Sequence, residues 1–364
     1  MRIVLLGAGH IGQTIAGLLS NSKDYSVLVV DRSAAAVGKL AKAKIDTRVI
    51  DIEQAPQLSA AMQGHDAVIN ALPYQYAKHV ASLAKAAGCH YFDLTEDVAA
   101  TRHIKQLAQD APTAFMPQCG LAPGFIGIVA QHLAKQFERL DTIKMRVGAL
   151  PAFPTNTLKY NLTWSVDGLI NEYCHPCEAI HDGASIELLP LEGLEHFSLD
   201  GVEYEAFNTS GGLGTLCETL AGQVRTLDYK SVRYPGHCAL MRLLLEELQL
   251  RSDQETLKSI LRRAVPSTMQ DVVLVFVTVS GSKQGQLVEE VFARKVFADR
   301  SEHQPLSAIQ ITTAAGVCAA VDLFREGRLP QRGFIRQEQI ALPEFLANRF
   351  GSAYQQSRHI ESIS

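Results

Sequence analysis

Residues 2–12, RIVLLGAGHIG, run an apolar strand directly into a glycine-rich turn. Gly7, Gly9 and Gly12 form G-x-G-x-x-G where a strand gives way to a helix. The first glycine permits the tight turn, the second lets a pyrophosphate approach the backbone, and the third lets helix and strand pack closely. His10 and Ile11 lie inside the motif, where the new helix offers amide donors and a partial positive charge to a phosphate. Asp31 ends the next strand, SVLVV with its aspartate, about 20 residues after the third glycine. An acidic side chain there binds a ribose 2′-OH and repels a 2′-phosphate, so NAD is expected over NADP. Arg32, beside it, is the one feature that favours the phosphate.

Outward from this motif, strand and helix patterns alternate. DTRVI (46–50), DAVINAL (66–72), HYFDL (90–94) and TAFMP (113–117) supply further strands, with helices near 33–43 and 54–63. Nearly continuous apolar strands suit a parallel sheet buried on both faces, and repeated β-α units imply a doubly wound Rossmann fold. After Leu150 the rhythm changes. DTIKMRV (141–147), LKYNLTW (158–164) and DVVLVFVTVS (271–280) read as strands of a second, mixed sheet, with helices at 239–248 and 253–263. Residues 306–327 have the pattern of one long helix. The expected fold class is therefore α/β: an N-terminal Rossmann domain plus an α+β substrate and oligomerisation domain. The expected boundaries are 1–124 with 305–364 for the first, and 125–304 for the second.

The chain has 364 residues, 47% hydrophobic and 20% charged, enough to bury a large core. A formal charge of −4 with no basic block excludes a nucleic-acid footprint. No signal-type segment follows Met1 and no membrane-spanning run stands out, so a cytoplasmic protein is expected. Seven scattered cysteines read as reduced thiols. A homodimer or homotetramer is expected. In CHPCEAIH, Cys174, His175, Cys177 and His181 are too cramped to converge easily on one tetrahedral ion, and no metal is expected.

Topology marks two more places on the dinucleotide site. Asp51 follows the third strand near the adenine edge. Asn70, Ala71, Leu72 and Pro73 follow the fourth and should border the nicotinamide ribose. After the sixth strand, CGLAPGF (119–125) breaks the chain before a new helix. Proline is tolerated at a helix start, and glycine allows close approach of backbone to ligand. Leu121 and Pro123 are assigned to the cofactor side and Ala122 to the substrate side.

The segments GAGHIG, CGLAPG, VGALP, YNLTWSVDGLINEY, FNTSGGLGTL, KSVRYPGH and GRLPQRGFIRQEQI together resemble the saccharopine dehydrogenase family, and most of all its lysine 6-dehydrogenase branch. The resemblance runs over nearly the whole chain. Saccharopine reductases typically carry Leu-Asp-Pro-Gly where this chain has Leu121-Ala122-Pro123-Gly124, and an arginine where this chain has Asp167. Both departures point away from a large tricarboxylate. The resemblance implies NAD-dependent oxidation of the ε-amino carbon of L-lysine, or of a close diamino acid, to a semialdehyde that cyclises to piperideine-6-carboxylate. The alternative is a reductive, C–N bond-forming enzyme of the saccharopine or carboxynorspermidine type. A non-catalytic NAD-binding sensor is the third reading, disfavoured by the substrate-domain motifs. The expected partner is a small amino acid or amine.

Such chemistry needs a cationic anchor for the α-carboxylate and a base for the ammonium. Arg233 in KSVRYPGH is the first candidate anchor because its guanidinium is a planar fork, and Lys230 is the second. Thr209, Ser210, Gly211 and Gly212 form a polar turn able to cradle the same carboxylate. His237, whose imidazole ordinarily titrates near 6.5, is a candidate base or relay. Asp93 and Glu96, at the mouth of the fifth strand, are candidates to receive the ε-ammonium or its proton, and Tyr160 to donate a hydrogen bond. The lysine-dehydrogenase branch tends to have Asp-Leu-Gly-Gly where this chain has Asp93-Leu94-Thr95-Glu96-Asp97, which leaves room for a longer polyamine or a second cationic group.

Overall fold

The computed structural model describes residues 1–299 and 305–355. The first half alternates β1 (Arg2–Leu6), α1 (His10–Ser20), β2 (Ser26–Asp31), α2 (Ala34–Lys42), β3 (Asp46–Val49) and α3 (Ala55–Met62). It continues with β4 (Ala67–Asn70), α4 (Ala77–Ala87), β5 (His90–Asp93), α5 (Val98–Ala108), β6 (Ala114–Met116) and α6 (Phe125–Ala134). Then come β7 (Arg139–Pro151), α7 (Val166–Cys174), β8 (Cys177–His181), β9 (Ala184–Leu188), β10 (Glu195–Leu199), β11 (Val202–Asn208), α8 (Leu216–Leu220) and β12 (Val224–Arg233). The chain ends with α9 (His237–Arg242), α10 (Gln254–Ala264), β13 (Asp271–Lys283), β14 (Gln286–Phe297), α11 (Ala308–Arg325), β15 (Gly333–Phe334) and α12 (Leu342–Ala347).

Two compact units result: Met1–Phe125 with Thr313–Ala353, and a second unit that begins at Ile126 and runs through Thr312. In the first, the strand order is β15-β6-β5-β4-β1-β2-β3, with every pair parallel. The order reverses between β1 and β4, and the C-terminal ends of those strands border the crevice where doubly wound sheets bind ligands. Ile3, Val4, Leu5, Leu6, Val68 and Ile69 are fully buried, because helices cover both faces. Each such side chain contributes about 1.5–3 kcal/mol on removal from water.

A buried carboxylate ties the end of this unit to its beginning. Asp322 of α11 accepts hydrogen bonds from Tyr25, Arg325, Asn348 and Arg349. These donors outweigh burial and lower its pKa to about 2. Nothing in the sequence pattern singled this residue out.

The second unit carries the mixed sheet β10-β11-β12-β7-β13-β14, with β8 and β9 attached beside β12. β7 pairs parallel with β12 and antiparallel with β13. The sheet rolls over one face. Phe197 on β10 stacks on Phe276 on β13 with ring centroids 5.7 Å apart, whereas four strand spacings along a flat sheet would separate them by roughly 19 Å. Inside the roll Arg146 is buried and pairs with Glu195 and Asp228, and Lys230 also pairs with Glu195. The opposite face of β12 carries Arg233, beside a cluster that includes Tyr160, Tyr173, Phe207 and Met241.

Two expectations fail locally. Residues 158–164 form no strand, only a single bridge between Leu162 and Ser267. Lys159 is left-handed, with φ 51°, and the Asn156 amide donates to the Tyr160 carbonyl at 2.7 Å, so the segment turns rather than extends. The helix expected at 239–248 begins at His237 and widens into a π-helical turn at Leu243–Glu247.

Candidate functional site

The glycine turn has the shape that a dinucleotide demands. Gly7 has φ +103°, and a Cβ there would sit 2.8 Å from the Ala71 carbonyl oxygen. A Cβ on Gly12 would sit 1.9 Å from the Gly7 carbonyl oxygen. Gly9 has open space where its Cβ would be, and as the N-cap of α1 it offers no side chain to the helix amides. Those amides, with exposed Gly9 and His10, leave a bare cradle suited to a pyrophosphate. Ile11 is half-buried behind it. A nicotinamide dinucleotide therefore fits the residues present.

Asp31 is locked in place. One carboxylate oxygen accepts from the Ala8 amide at 2.7 Å, and the other from the Ser33 amide at 2.7 Å. The carboxylate is thus fastened to the glycine turn, while Arg32 is exposed.

Other candidates in this unit serve the loops themselves. Asp51 is exposed, and its carboxylate accepts from the Glu53 amide at 3.1 Å, which makes it turn chemistry. Asn70 is buried; its oxygen accepts from the Leu72 amide and its amide donates to the Tyr91 hydroxyl. Ala71 and Leu72 are half-buried and Pro73 is exposed, so this strip, not the Asn70 side chain, borders the crevice. Asp93 corrects the expectation of a substrate-facing acid. It is 1% exposed and accepts from the Tyr91 hydroxyl and from the Thr95 and Gln118 amides. Burial raises its pKa to about 6, against those donors. Through Gln118 it holds the start of the CGLAPG segment. There Leu121 and Pro123 are buried, Ala122 is half-buried, and a Cβ on Gly124 would sit 2.2 Å from the Gly120 carbonyl oxygen. Glu96 is half-buried on the segment before α5.

In the second unit the residues around Arg233 converge. Arg233 is 3% exposed at the end of β12. Its Nε donates to the Tyr173 hydroxyl at 3.0 Å and its Nη1 to the Val232 carbonyl at 2.8 Å. Its guanidinium carbon lies 5.2 Å from the centroid of the Tyr160 ring and 5.9 Å from that of Tyr173. Among the described residues it makes no ion pair within 4.0 Å, and Nη2 makes no hydrogen bond. Burial works against its charge, yet Tyr173, Tyr160 and Glu172 more than offset this and keep its pKa above the ordinary value. A buried guanidinium without a carboxylate partner is costly unless a ligand completes it.

In the same 160–173 stretch, Asn161 Oδ1 and Asn171 Oδ1 are buried without a hydrogen-bond partner among the described residues. Burial raises the Tyr160 pKa, and nearby Arg233, Thr163 and Trp164 lower it. The sequence reading missed Tyr173, Asn161, Thr163 and Asn171, although all lie within or beside the quoted YNLTWSVDGLINEY.

Several expected ligand groups are occupied structurally. His237 is fully buried, its Nδ1 bonded to the Leu158 carbonyl at 3.0 Å and its Nε2 to the Tyr173 hydroxyl at 3.1 Å. Burial, then the Arg233 charge, push its pKa down to about 3. An imidazole so weakly basic is no general base; it orients Tyr173, which in turn holds Arg233. Lys230 is no anchor either, since it donates to Glu195 at 2.8 Å and to the Gly193 carbonyl at 2.6 Å. The Thr209 hydroxyl bonds Ser231 and that of Ser210 bonds the Pro176 carbonyl. Gly211 turns at φ +88°, and Gly212 lies under the Tyr229 ring, where a Cβ would be 2.2 Å away. This turn packs rather than cradles. Asp167 is neutralised by Lys258 at 2.9 Å and Arg262 at 2.8 Å, so it does not act as a bare repelling charge. Cys177 is buried and His181 is exposed beside Asp182. Among the described residues no three His, Cys, Asp or Glu side chains converge on a metal position.

A Rossmann unit with a bare pyrophosphate turn, joined to a mixed-sheet unit, defines a nicotinamide-dependent oxidoreductase acting on CH–NH groups. The saccharopine dehydrogenase NADP binding domain matches residues 3–116, and the saccharopine dehydrogenase C-terminal domain matches residues 120–351. The chain belongs to the saccharopine dehydrogenase family. It is 22% identical to saccharopine dehydrogenase [NADP(+), L-glutamate-forming] of Pyricularia oryzae over 84% of this chain and 69% of that one. It is 20% identical to mitochondrial alpha-aminoadipic semialdehyde synthase of Rattus norvegicus, covering 83% of this chain but 34% of that longer protein. The solved apo saccharopine dehydrogenase (L-Glu forming) of Saccharomyces cerevisiae matches with TM-score 0.78 at 16% identity, covering 97% and 96% of the two chains. The matched domain and the Pyricularia oryzae relative are named for NADP, opposite to the expectation from Asp31.

Proposed function

We propose that this chain oxidises the amine-bearing carbon of L-lysine or a close diamino acid, with NAD as acceptor. The observation that carries the reading is the buried Arg233, which makes no ion pair within 4.0 Å among the described residues, an anchor shaped for the α-carboxylate of an amino acid. Tyr173, steadied by His237, fixes the fork, and the Tyr160 ring lies 5.2 Å from the guanidinium carbon. Ala122 places a methyl group where saccharopine reductases tend to carry a carboxylate, which favours a shorter substrate.

A bound nicotinamide would supply the hydride acceptor. Gly7, Gly9, Gly12 and the first turn of α1 would hold its pyrophosphate, and Asp31 would accept from the adenosine ribose. The fixed carboxylate supports NAD, whereas the relatives' names support NADP. Glu96 is the remaining acidic candidate for the substrate ammonium. The amine must be neutral to react, and a lysine-type ammonium ordinarily titrates near 10.4, so oxidation should quicken as pH rises towards that value.

The relatives' names favour a second reading, the cleavage or formation of saccharopine. One experiment separates the two. Initial rates of reduced-nicotinamide formation are measured at alkaline pH with lysine, ornithine, diaminopimelate and saccharopine, each with NAD and with NADP. Turnover of lysine with NAD supports the proposal. Turnover of saccharopine alone replaces it with the second reading, and preference for NADP removes the Asp31 argument.

A further inference from the structure

Glu205 of β11 is a buried acid, 2% exposed, that stands directly opposite Arg233 of β12 in the antiparallel ladder. Residues paired in this way share a face of the sheet, with Cβ atoms about 5 Å apart. An acid and a guanidinium set side by side in an interior ordinarily join, because an unpaired buried charge is costly. These two do not: among the described residues Arg233 makes no ion pair within 4.0 Å. Glu205 turns to the backbone instead. Its Oε2 accepts from the Gly236 amide at 2.7 Å, and its Oε1 from the Cys238 amide at 2.6 Å. On the β10 side, the exposed His196 brings its Nε2 to 3.9 Å from Oε2, beyond hydrogen-bond reach.

The two clamped amides flank His237, and a single line of hydrogen bonds runs from its ring to Arg233. The Leu158 carbonyl can only accept, so His237 Nδ1 carries the proton and Nε2 is left to accept from the Tyr173 hydroxyl. The Tyr173 oxygen accepts in turn from Arg233 Nε at 3.0 Å. A displacement of the imidazole therefore passes along this line to the guanidinium.

We propose that Glu205 is a positioning residue for the substrate anchor, with two effects from one pair of contacts. It pins the backbone on both sides of His237, and so fixes the Tyr173 hydroxyl and the Arg233 fork. It also commits its own oxygens to those amides. The acid that faces Arg233 is thereby kept from closing on it, and the guanidinium is left to an incoming α-carboxylate. The proposal rests on the reading of Arg233 as that anchor. Glu205→Gln keeps the shape of the side chain but leaves one acceptor oxygen for two amides, since its NH2 group can only donate.

The test is steady-state kinetics of the full chain with L-lysine and with its decarboxylated diamine. In Glu205→Gln the KM for lysine should rise about tenfold, the equivalent of one lost hydrogen bond to a charged group. Its kcat, its KM for the diamine and its affinity for the dinucleotide should hold. In a Tyr173→Phe background the same substitution should add no more than about twofold, because the line is already cut. Full additivity of the two substitutions, or equal losses on lysine and diamine, would overturn the proposal and leave Glu205 a purely structural role. A wild type that takes lysine no better than the diamine removes the anchor itself, and this proposal with it. A wild type that prefers lysine, beside a Glu205→Gln variant that prefers it equally, overturns the role of Glu205 alone. Hydrogen exchange on the wild type guards against a variant that does not fold. The Gly236 and Cys238 amides should be as protected as the ladder amides of β12, and rapid exchange at both contradicts the clamp.

Discussion

The glycine turn after β1 and the buried cluster around Arg233 prepare for a ligand in opposite ways. The turn removes side chains so that backbone amides, and the positive end of α1, meet an anion directly. The Arg233 cluster instead carries a full charge into an apolar interior and sets it beside two tyrosine rings. The first device depends on absent atoms, and at Gly7 and Gly12 it has no room for anything larger than hydrogen. The second depends on a chain of contacts, from the Leu158 carbonyl to His237, Tyr173 and Arg233, so its failures should be graded.

That contrast predicts its own largest effect. Gly12→Val puts atoms where the Gly7 carbonyl already sits, 1.9 Å from the Cβ position. Dinucleotide binding, followed by quenching of protein fluorescence or by calorimetry, should be lost outright. Retention within tenfold of the wild-type affinity would show that the turn has slack, and the contrast would fail.

A graded loss is expected from Tyr173→Phe. It removes the acceptor for Arg233 Nε and the partner of His237 Nε2 while keeping the ring over the guanidinium. A lost hydrogen bond to a charged group costs about 1.5–3 kcal/mol, or roughly 10- to 150-fold in kcat/KM for amino-acid substrates. Affinity for the nicotinamide dinucleotide, measured separately, should be unchanged.

The smallest effect concerns pH. The Asp93 carboxyl, held near 6 by burial, keeps its proton in the folded protein where the unfolded chain, near the ordinary 3.8, has lost it. Its contribution is therefore fully present below the unfolded value and is lost as pH rises through about 6. Asp93→Asn keeps an acceptor for the Thr95 and Gln118 amides and should flatten the decline in stability between those pH values, as read by urea denaturation. An unchanged slope would assign the decline to another buried acid such as Asp271, which burial also raises to about 6.

The two regions differed as much in how openly the sequence displayed them. The glycine motif, the apolar strands and Asp31 were readable because spacing alone fixes their geometry: a turn, a period of two, and a strand end. Arg233 was readable only as a residue type. Its burial and its Tyr173 contact depend on which strands the second sheet sets side by side. Lys230 and His237 looked equally suitable in KSVRYPGH, yet alternation along β12 sends Lys230 into the roll with Arg146 and Glu195, while burial strips His237 of its basicity. Residues 158–164 misled for a related reason, since their apolar content serves a packed loop that Asn156 and Lys159 bend. Asp93 illustrates the reverse error: a strand-end acid at the binding edge of a sheet, turned inward to brace loops.

The central claim is that Arg233 anchors an α-carboxylate. The most direct measurement compares kcat/KM for L-lysine and for its decarboxylated diamine, in the wild type and in Arg233→Met. The wild type should prefer lysine strongly, and the substitution should erase that preference by lowering activity on lysine, on the order of 100-fold for loss of a buried charge-assisted contact, while leaving the diamine nearly untouched. Equal losses on both substrates would contradict the account and return Arg233 to a purely structural role.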